Sequence, residues 1–130
     1  MAGEAVLDAS AIIALLRNEP GAAFVRNRLL GAAACAVNVA EVGDSLVRQG
    51  VSLEIVRQAV EQLSLTVVPL NVAVAWSAAD LLPATRSVGL SLGDRCCLAL
   101  AKDMNRPALT SDKAWTRIAD QIGVTVELIR

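Results

Sequence analysis

Four acidic residues stand where carboxylates could act together, and the chain offers few other reactive groups. Asp8 directly follows an apolar segment and Asp112 lies two residues after another. Glu41 and Asp94 each fall in the predicted first turn of a helix. The sequence has no histidine, which excludes Ser-His-Asp and Cys-His catalysis and histidine-bound zinc. We therefore expect any catalysis or metal binding to use carboxylates.

Carboxylates gathered in one pocket need a positive counter-charge. Two of them held about 5 Å apart repel by roughly 3 kcal/mol at an effective dielectric constant of about 20. Oxygen ligands without a histidine or cysteine cluster favour a hard cation, Mg²⁺ or Mn²⁺. Such an ion lowers the pKa of a bound water and neutralises a phosphoryl group under attack. The acidic set therefore predicts phosphodiester hydrolysis.

Within this set, Asp8 and Asp94 are the expected direct ligands. Glu41 is either a ligand or the group that orients the attacking water. Asp112 is the expected ligand of a second, weaker metal position. These assignments are hypotheses about roles within a single site.

Hydroxyl and basic side chains lie beside the acidic residues in the sequence. Ser10, Thr110 and Ser111 are expected to orient carboxylates or waters, or else to make local cap and turn hydrogen bonds. The basic candidates for phosphate contacts are Arg17, Arg95 and Lys113, although a single charge on a surface helix is often only solvated.

Each acidic residue also has a purely structural explanation. Ser91-Leu92-Gly93-Asp94 has the spacing of a capping box, and Asn38 to Glu41 repeats it. Asp8 could be a helix-start carboxylate, and Asp112 could accept in an Asx turn. Only the convergence of all four favours a metal site over these local roles.

The elements that would bring these residues together alternate along the chain. Strands are predicted at Ala5–Leu7, Ala33–Val37, Thr66–Val68, Ala108–Thr110 and Val124–Ile129. Helices are predicted at Ala11–Leu16, Ala22–Leu30, Val39–Gln49, 53–63, Val72–Leu82, 92–104 and Ala114–Gln121, with Ser10, Asn38, Ser52 and Ser91 as their candidate caps.

This alternation predicts an α/β fold with three layers, in which helices flank a central parallel sheet of four to five strands. Ligands of open parallel sheets collect at the carboxyl ends of the strands. We therefore expect the four acids to meet at that edge.

Size and composition limit the class of protein. The 130 residues suit a single domain, 1–130, and 55% hydrophobic residues exclude disorder. The longest apolar runs are too short to span a bilayer, and Met1–Glu4 has no basic region typical of a secretory signal. A cytoplasmic location without membrane contact is expected. Three cysteines without a CxxC pair predict neither a disulfide framework nor a zinc knuckle.

The charge balance argues against a general nucleic-acid binder. Formal net charge is -1, so any polyanion contact must be local. Aromatic residues make up 2% of the chain, too few for a base-stacking platform.

Four segments together resemble the PIN-domain ribonucleases, in particular the VapC-type toxins of toxin–antitoxin systems. The resemblance spans residues 5–115, and its most specific part surrounds Asp94. The segments that carry it are Val6–Ala11, Asn38–Val42, Gly89–Ala101 and Leu109–Asp112. One departure is Cys35, which stands where relatives often have a hydroxyl residue.

The resemblance implies a nuclease that cuts RNA internally with Mg²⁺ or Mn²⁺. Asp8, Glu41, Asp94 and Asp112 match the acidic quartet of the family, and Ser10 and Thr110 match its small hydroxyl positions. The resemblance also implies a homodimer and a cognate antitoxin protein, whose tail lies over the active-site groove and often presents an arginine to the acids.

Two other classes compete with this interpretation. A phospho-accepting receiver module also binds Mg²⁺ at strand ends, but it needs paired acids after the first strand and an acceptor Asp after the third. Here Asp8 has no acidic neighbour and the third strand runs into Leu70-Asn71. The other alternative is a catalytically silent PIN-like scaffold that binds metal and acts only as an interaction or signalling module.

Overall fold

The computed structural model describes residues 4–130, and residues 1–3, part of the stretch considered above for a secretory signal, lie outside the described residues. Its centre is one sheet of five short strands, all parallel to their neighbours, in the order β3-β2-β1-β4-β5. The strands are β1 (Val6–Leu7), β2 (Ala33–Cys35), β3 (Thr66–Val68), β4 (Ala108–Thr110) and β5 (Val126–Leu128). The predicted α/β fold with a parallel sheet is confirmed.

Helices connect the strands, as parallel pairing requires. They are α1 (Ala9–Arg17), α2 (Ala22–Arg26), α3 (Ala36–Arg48), α4 (Leu53–Gln62), α5 (Val72–Asp80), α6 (Leu82–Thr85), α7 (Leu92–Met104) and α8 (Ala119–Ile122). Two 3₁₀ helices, Arg86–Val88 and Lys113–Arg117, complete the connections.

The two faces of the sheet bury separate apolar clusters, because successive strand residues point to opposite sides. On one face Leu7 packs with residues of α1, α2, α3 and α4. On the other face Val6 packs with residues of α5 and α7 and with Trp115. The sheet is therefore the middle one of three layers, as predicted.

The start of α1 differs from the prediction. The helix begins at Ala9 rather than Ala11, and its N-cap is Asp8 rather than Ser10. The reason is that Asp8 Oδ1 accepts a hydrogen bond from the backbone N–H of Ala11 at 2.8 Å. The Ser10 hydroxyl turns back onto the same carboxylate instead of capping the helix.

The junction of β2 and α3 also differs. The strand was expected to reach Val37, with Asn38 as the cap of the next helix, but β2 ends at Cys35 and α3 begins at Ala36. Cys35 pairs with Val68, the last residue of β3, so no partner strand extends further. Asn38 therefore lies inside the first turn of α3 and Glu41 in its second turn.

The ends of three other elements also differ from the prediction. Helix α2 stops at Arg26 instead of Leu30, and β5 is limited to Val126–Leu128 because its partner β4 has three residues. The helix predicted over Ala114–Gln121 divides at Ile118 into a 3₁₀ turn and α8. Within residues 4–130, no helix is long and apolar enough to cross a membrane.

Candidate active site

The candidate site lies at the carboxyl edge of the sheet, between the neighbouring strands β1 and β4. The chain places β2 and β3 on one side of β1, and β4 and β5 on the other. Connections therefore leave β1 and β4 in opposite directions, which opens a crevice where such sheets bind ligands. Asp8 follows β1 directly, and Thr110 is the last residue of β4.

Asp8 is the buried centre of this crevice, with 4% of its surface exposed. Its Oδ1 accepts hydrogen bonds from the Ser10 hydroxyl at 2.7 Å and from the Ala11 backbone at 2.8 Å. Its Oδ2 accepts from the Thr110 hydroxyl at 2.5 Å. Burial raises the pKa of Asp8 from 3.8 to about 6, against the lowering effect of these hydrogen bonds, and the negative charge of Asp94 adds to the rise.

The hydroxyl residues join the ends of β1 and β4. The backbone N–H of Ser111 donates to Ser10 Oγ at 2.9 Å, and the backbone N–H of Asp112 donates to Thr110 Oγ1 at 3.1 Å. Ser10 and Thr110 therefore each contact Asp8 on one side and the β4 turn on the other. Ser111 enters this network through its backbone.

Glu41 reaches the same edge from α3. Asn38, one turn earlier, donates from Nδ2 to Glu41 Oε1 at 2.8 Å and to the carbonyl of Gly93 at 3.1 Å. The Glu41 carboxylate lies directly against Gly93, in the first turn of α7. The expected cap from Asn38 is therefore absent, and the Asn38–Glu41 pair instead joins α3 to α7.

Asp94 is half-buried in the first turn of α7 and makes the predicted capping box. Its Oδ2 accepts from the backbone N–H of Ser91 at 2.9 Å, and Ser91 Oγ accepts from the Asp94 N–H at 3.2 Å. This bond is compatible with a ligand role, because a carboxylate has about four acceptor positions.

Three of the four acids lie close enough to one buried thiol for their charges to affect it. Burial raises the pKa of Cys97 well above 9.0, and the charges of Asp8, Asp94 and Glu41 are among the further causes of the rise. The three carboxylates therefore belong to one neighbourhood. Because the thiol stays protonated, it is a poor metal ligand, and the accessible donors there are oxygens.

Asp112 lies at the rim of this neighbourhood and is exposed. Its Oδ1 accepts from the backbone N–H of Ala114 at 2.9 Å, which is the expected Asx turn. Its link to the centre is its own N–H, which reaches Asp8 through the Thr110 hydroxyl.

The basic candidates do not gather at the acids. Arg95 turns toward α5, where Nη1 donates to the carbonyl of Ala78 at 2.9 Å. Arg17 donates to the side chain of Gln49, and Lys113 is exposed in the 3₁₀ turn. Arg95 thus ties α7 to α5, a role that its spacing from Asp94 did not indicate.

A divalent cation fits the chemistry of this donor set, although the side chains are directed to local partners. Among residues 4–130, no three acidic or thiol groups are grouped closely enough to hold an ion as they stand. Asp94, Glu41 and Asp112 each bond to a neighbour within three residues. The oxygen-only donors of Asp8, Glu41 and Asp94 suit a hard ion such as Mg²⁺ or Mn²⁺.

Two residues at the site were missed by sequence reasoning. Asn38 was interpreted as a cap, and Gly93 was only a spacer of the capping box. The i, i+3 spacing of Asn38 and Glu41 was the available signal, since such residues share a helix face. For Gly93, the available signal was a glycine in the first turn of the apolar helix α7, where glycine is a poor helix former.

Several solved structures have a fold similar to that of this chain. VapBC from Salmonella typhimurium, solved bound to DNA, has a TM-score of 0.77 and 17% identity, covering 100% of both chains. FitAcB from Neisseria gonorrhoeae has a TM-score of 0.71 and 23% identity, covering 94% of this chain and 95% of that one. VapBC-5 from Mycobacterium tuberculosis is a member of the VapBC family of toxin-antitoxin systems. It has a TM-score of 0.61 and 25% identity, covering 98% of this chain and 99% of that one.

No curated protein sequence is significantly similar to this chain. The profile of the PIN domain, however, matches residues 5–121, which include all four acids and the whole network around Asp8. The match extends over most of the sequence, and the five-stranded parallel sheet agrees with it. The chain therefore belongs to the PIN domain family.

Proposed function

We propose that this protein is a divalent-metal-dependent endoribonuclease, formed by one domain over residues 1–130, that acts as the toxin of a toxin–antitoxin pair in the cytoplasm. Membership of the PIN domain family, a nuclease family, supports hydrolase activity. The observation that carries the proposal is Asp8, buried between the ends of β1 and β4 and held there by Ser10 and Thr110. The charges of Asp94 and Glu41 act on the same buried thiol as that of Asp8.

We assign the metal to Asp8, Glu41 and Asp94, with Asp112 at a second, outer position. A bound Mg²⁺ or Mn²⁺ supplies an activated water and neutralises charge on the phosphodiester. Thr110, Ser10 and the Ala11 backbone hold the Asp8 carboxylate in one orientation, and its remaining acceptor position would bind the ion. We assign Glu41 to binding the ion or to orienting the water.

The proposed partner is an antitoxin protein. The similarity to VapBC-5, a toxin-antitoxin complex, supports it. A tail that carries an arginine would complement the acidic crevice, because a guanidinium pairs with carboxylates in a fixed geometry. Such a tail would block RNA and inhibit the nuclease.

An apolar groove between α3 and α4 supports a protein partner as well. It encloses about 750 Å³. Leu53 is 63% exposed, and Val47 and Val67 are also exposed along the groove. Exposed contiguous apolar surface marks protein contacts, so we propose that this groove takes an apolar segment of the antitoxin.

We propose a homodimer through the outer face of α5. Val72 and Trp76, one turn apart, are 73% and 70% exposed. Large apolar and aromatic side chains are enriched at interfaces between copies of a protein.

Cleavage of labelled RNA tests the proposed activity. Purified protein is incubated with structured RNA and with DNA of the same sequence, in Mg²⁺, in Mn²⁺ and in chelator. We expect internal RNA cuts only with metal, and their loss in Asp8→Asn; Asp103→Asn, at an exposed acid near the end of α7, serves as the control. A silent interaction module would cut neither substrate, and cleavage by Asp8→Asn at the original rate would contradict the assigned site.

Expression in growing cells tests the toxin role. We expect growth arrest on induction, relieved by co-expression of a small partner protein from the same operon. Cut sites on total RNA, mapped shortly after induction, identify the substrate class. Normal growth at high expression of active protein would exclude a toxin.

A further inference from the structure

Asn38 is the most buried polar residue of α3, with 1% of its surface exposed. Both of its Nδ2 hydrogens are used: one donates to Glu41 Oε1 and the other to the carbonyl of Gly93. The two acceptors lie on different helices, α3 and α7. A single side chain thus ties the Glu41 carboxylate to the first turn of the helix that carries Asp94.

Gly93 completes this arrangement by having no side chain. A Cβ at this position would lie 2.2 Å from Oε2 and 2.6 Å from Oε1 of Glu41. Any larger residue would therefore displace the carboxylate, which is the free end of a flexible side chain. The glycine is needed for close approach, since its backbone is ordinary helix.

The hydrogen bonds of Asn38 satisfy its amide nitrogen but not its amide oxygen. Its Oδ1 is buried and has no hydrogen-bond partner in the described part of the chain. An orphaned buried acceptor costs stability, and an apolar residue of similar volume would avoid that cost. The amide end must therefore serve a purpose other than packing.

We infer that Asn38 and Gly93 are positioning residues that hold the Glu41 carboxylate beside Asp94 for the divalent cation. The inference rests on the proposed function and deepens it. Neither residue is a ligand: Asn38 fixes one oxygen of Glu41 by donation, and Gly93 makes room for the other.

The chemistry explains why asparagine occupies this position. Two acceptors, a carboxylate and a carbonyl, have to be satisfied at once, and the amide provides two donors in one plane. Aspartate would place a second carboxylate against Glu41 and offer no donor. Leucine would fill the space and leave Glu41 free to rotate toward solvent.

Manganese binding tests the inference without relying on cleavage. Mn²⁺ affinity is measured by the paramagnetic resonance signal of the free ion, and the unfolding midpoint is recorded for each metal-free protein. We expect Asn38→Leu to weaken Mn²⁺ binding by about 10–100-fold, as loss of a residue that supports a ligand does. Its unfolding midpoint should be unchanged or higher.

A second variant covers the case in which Asn38→Leu does not fold. Gly93→Ala should weaken Mn²⁺ binding by about 10-fold. Its midpoint should change little, because the better helix propensity of alanine offsets the loss of the hydrogen bond from Asn38 to Glu41. Gly43→Ala is the matched control, since its Cβ would meet Leu53 at an ordinary 3.8 Å. Thr85→Val, which removes a buried hydrogen bond in α6, controls for lost polarity without loss of affinity.

The outcomes separate this inference from the function on which it rests. The double variant Asn38→Leu, Glu41→Gln should bind Mn²⁺ no more weakly than Glu41→Gln, because Asn38 acts through Glu41. Additive losses, or wild-type affinity in both Asn38→Leu and Gly93→Ala, would overturn the inference alone. Absence of Mn²⁺ binding by the unmodified protein would overturn the metal site and the inference together.

Discussion

The hydroxyl of Thr110 donates to Oδ2 of Asp8 at 2.5 Å, joining residues 102 positions apart. Both are buried at the ends of adjacent strands, so the bond exists only when β1 and β4 pair. Thr110 also accepts from the backbone N–H of Asp112. The hydroxyl thus connects the inner carboxylate to the turn that carries the outer one.

Loss of this hydroxyl should impair cleavage more than folding. Thr110→Val keeps the shape and the strand preference but removes the donor. Because that hydrogen bond lowers the pKa of Asp8, its loss should move the pKa further above 6. We expect RNA cleavage at pH 7 to fall about 10–100-fold, measured as the initial rate at saturating Mg²⁺. Thr110→Ser is the control, and equal rates in Thr110→Val and wild type would contradict this role.

The raised pKa of Asp8 predicts the pH dependence of the metal-free protein. Between pH 3.8 and about 6 the folded state retains the Asp8 proton that the unfolded chain has released. The free energy of unfolding should therefore decrease as pH rises through this window, by about 3 kcal/mol from this group alone. Urea unfolding in chelator from pH 4 to 7.5 measures it.

Asp8→Asn isolates this contribution, since other acids titrate nearby. As pH rises, Asp8→Asn should become more stable relative to wild type, because asparagine does not titrate. This relative gain in the free energy of unfolding should level off above about pH 6. Asp103→Asn, at an exposed acid near the end of α7, should follow wild type throughout. A constant difference between wild type and Asp8→Asn would show that Asp8 does not titrate in this range.

Asp94 has a structural and a proposed catalytic role, and two substitutions separate them. Asn at position 94 can still accept from the Ser91 N–H, so Asp94→Asn should lower the free energy of unfolding by less than about 1 kcal/mol. Cleavage should nevertheless fall at least about 100-fold, because a ligand charge is lost. Ser91→Ala should do the reverse, costing about 1 kcal/mol of stability while cleavage is retained. Matching losses in both variants would assign Asp94 to the cap alone.

The proposed dimer depends on the exposed face of α5. Trp76→Glu places a charge in the middle of that face, and we expect it to convert dimer to monomer in sedimentation experiments. Leu30→Glu is the control, because Leu30 is 94% exposed and lies in the turn before β2 rather than on α5. If Trp76→Glu remains a dimer, the outer face of α5 is not the interface.

Local patterns predicted the parts of the fold that depend on local forces. The caps Ser52 and Ser91 and the strand Thr66–Val68 are confirmed, because a cap or a β-branched run acts within a few residues. The end of β2 was missed because it depends on where β3 ends, 33 residues later. Arg95 was misjudged because its carbonyl partner lies on α5.

Sequence alone determined the alternation of strands and helices, the absence of histidine and the position of an acid after β1 and β4. Those features are set by the order of residue types and by backbone preferences over short spans. Only the tertiary structure decided that Asn38 contacts Gly93, 55 positions away, and that Glu41 rests against that glycine. The reason is that the approach of α3 to α7 is a result of how both pack on the sheet, and no local pattern encodes that distance.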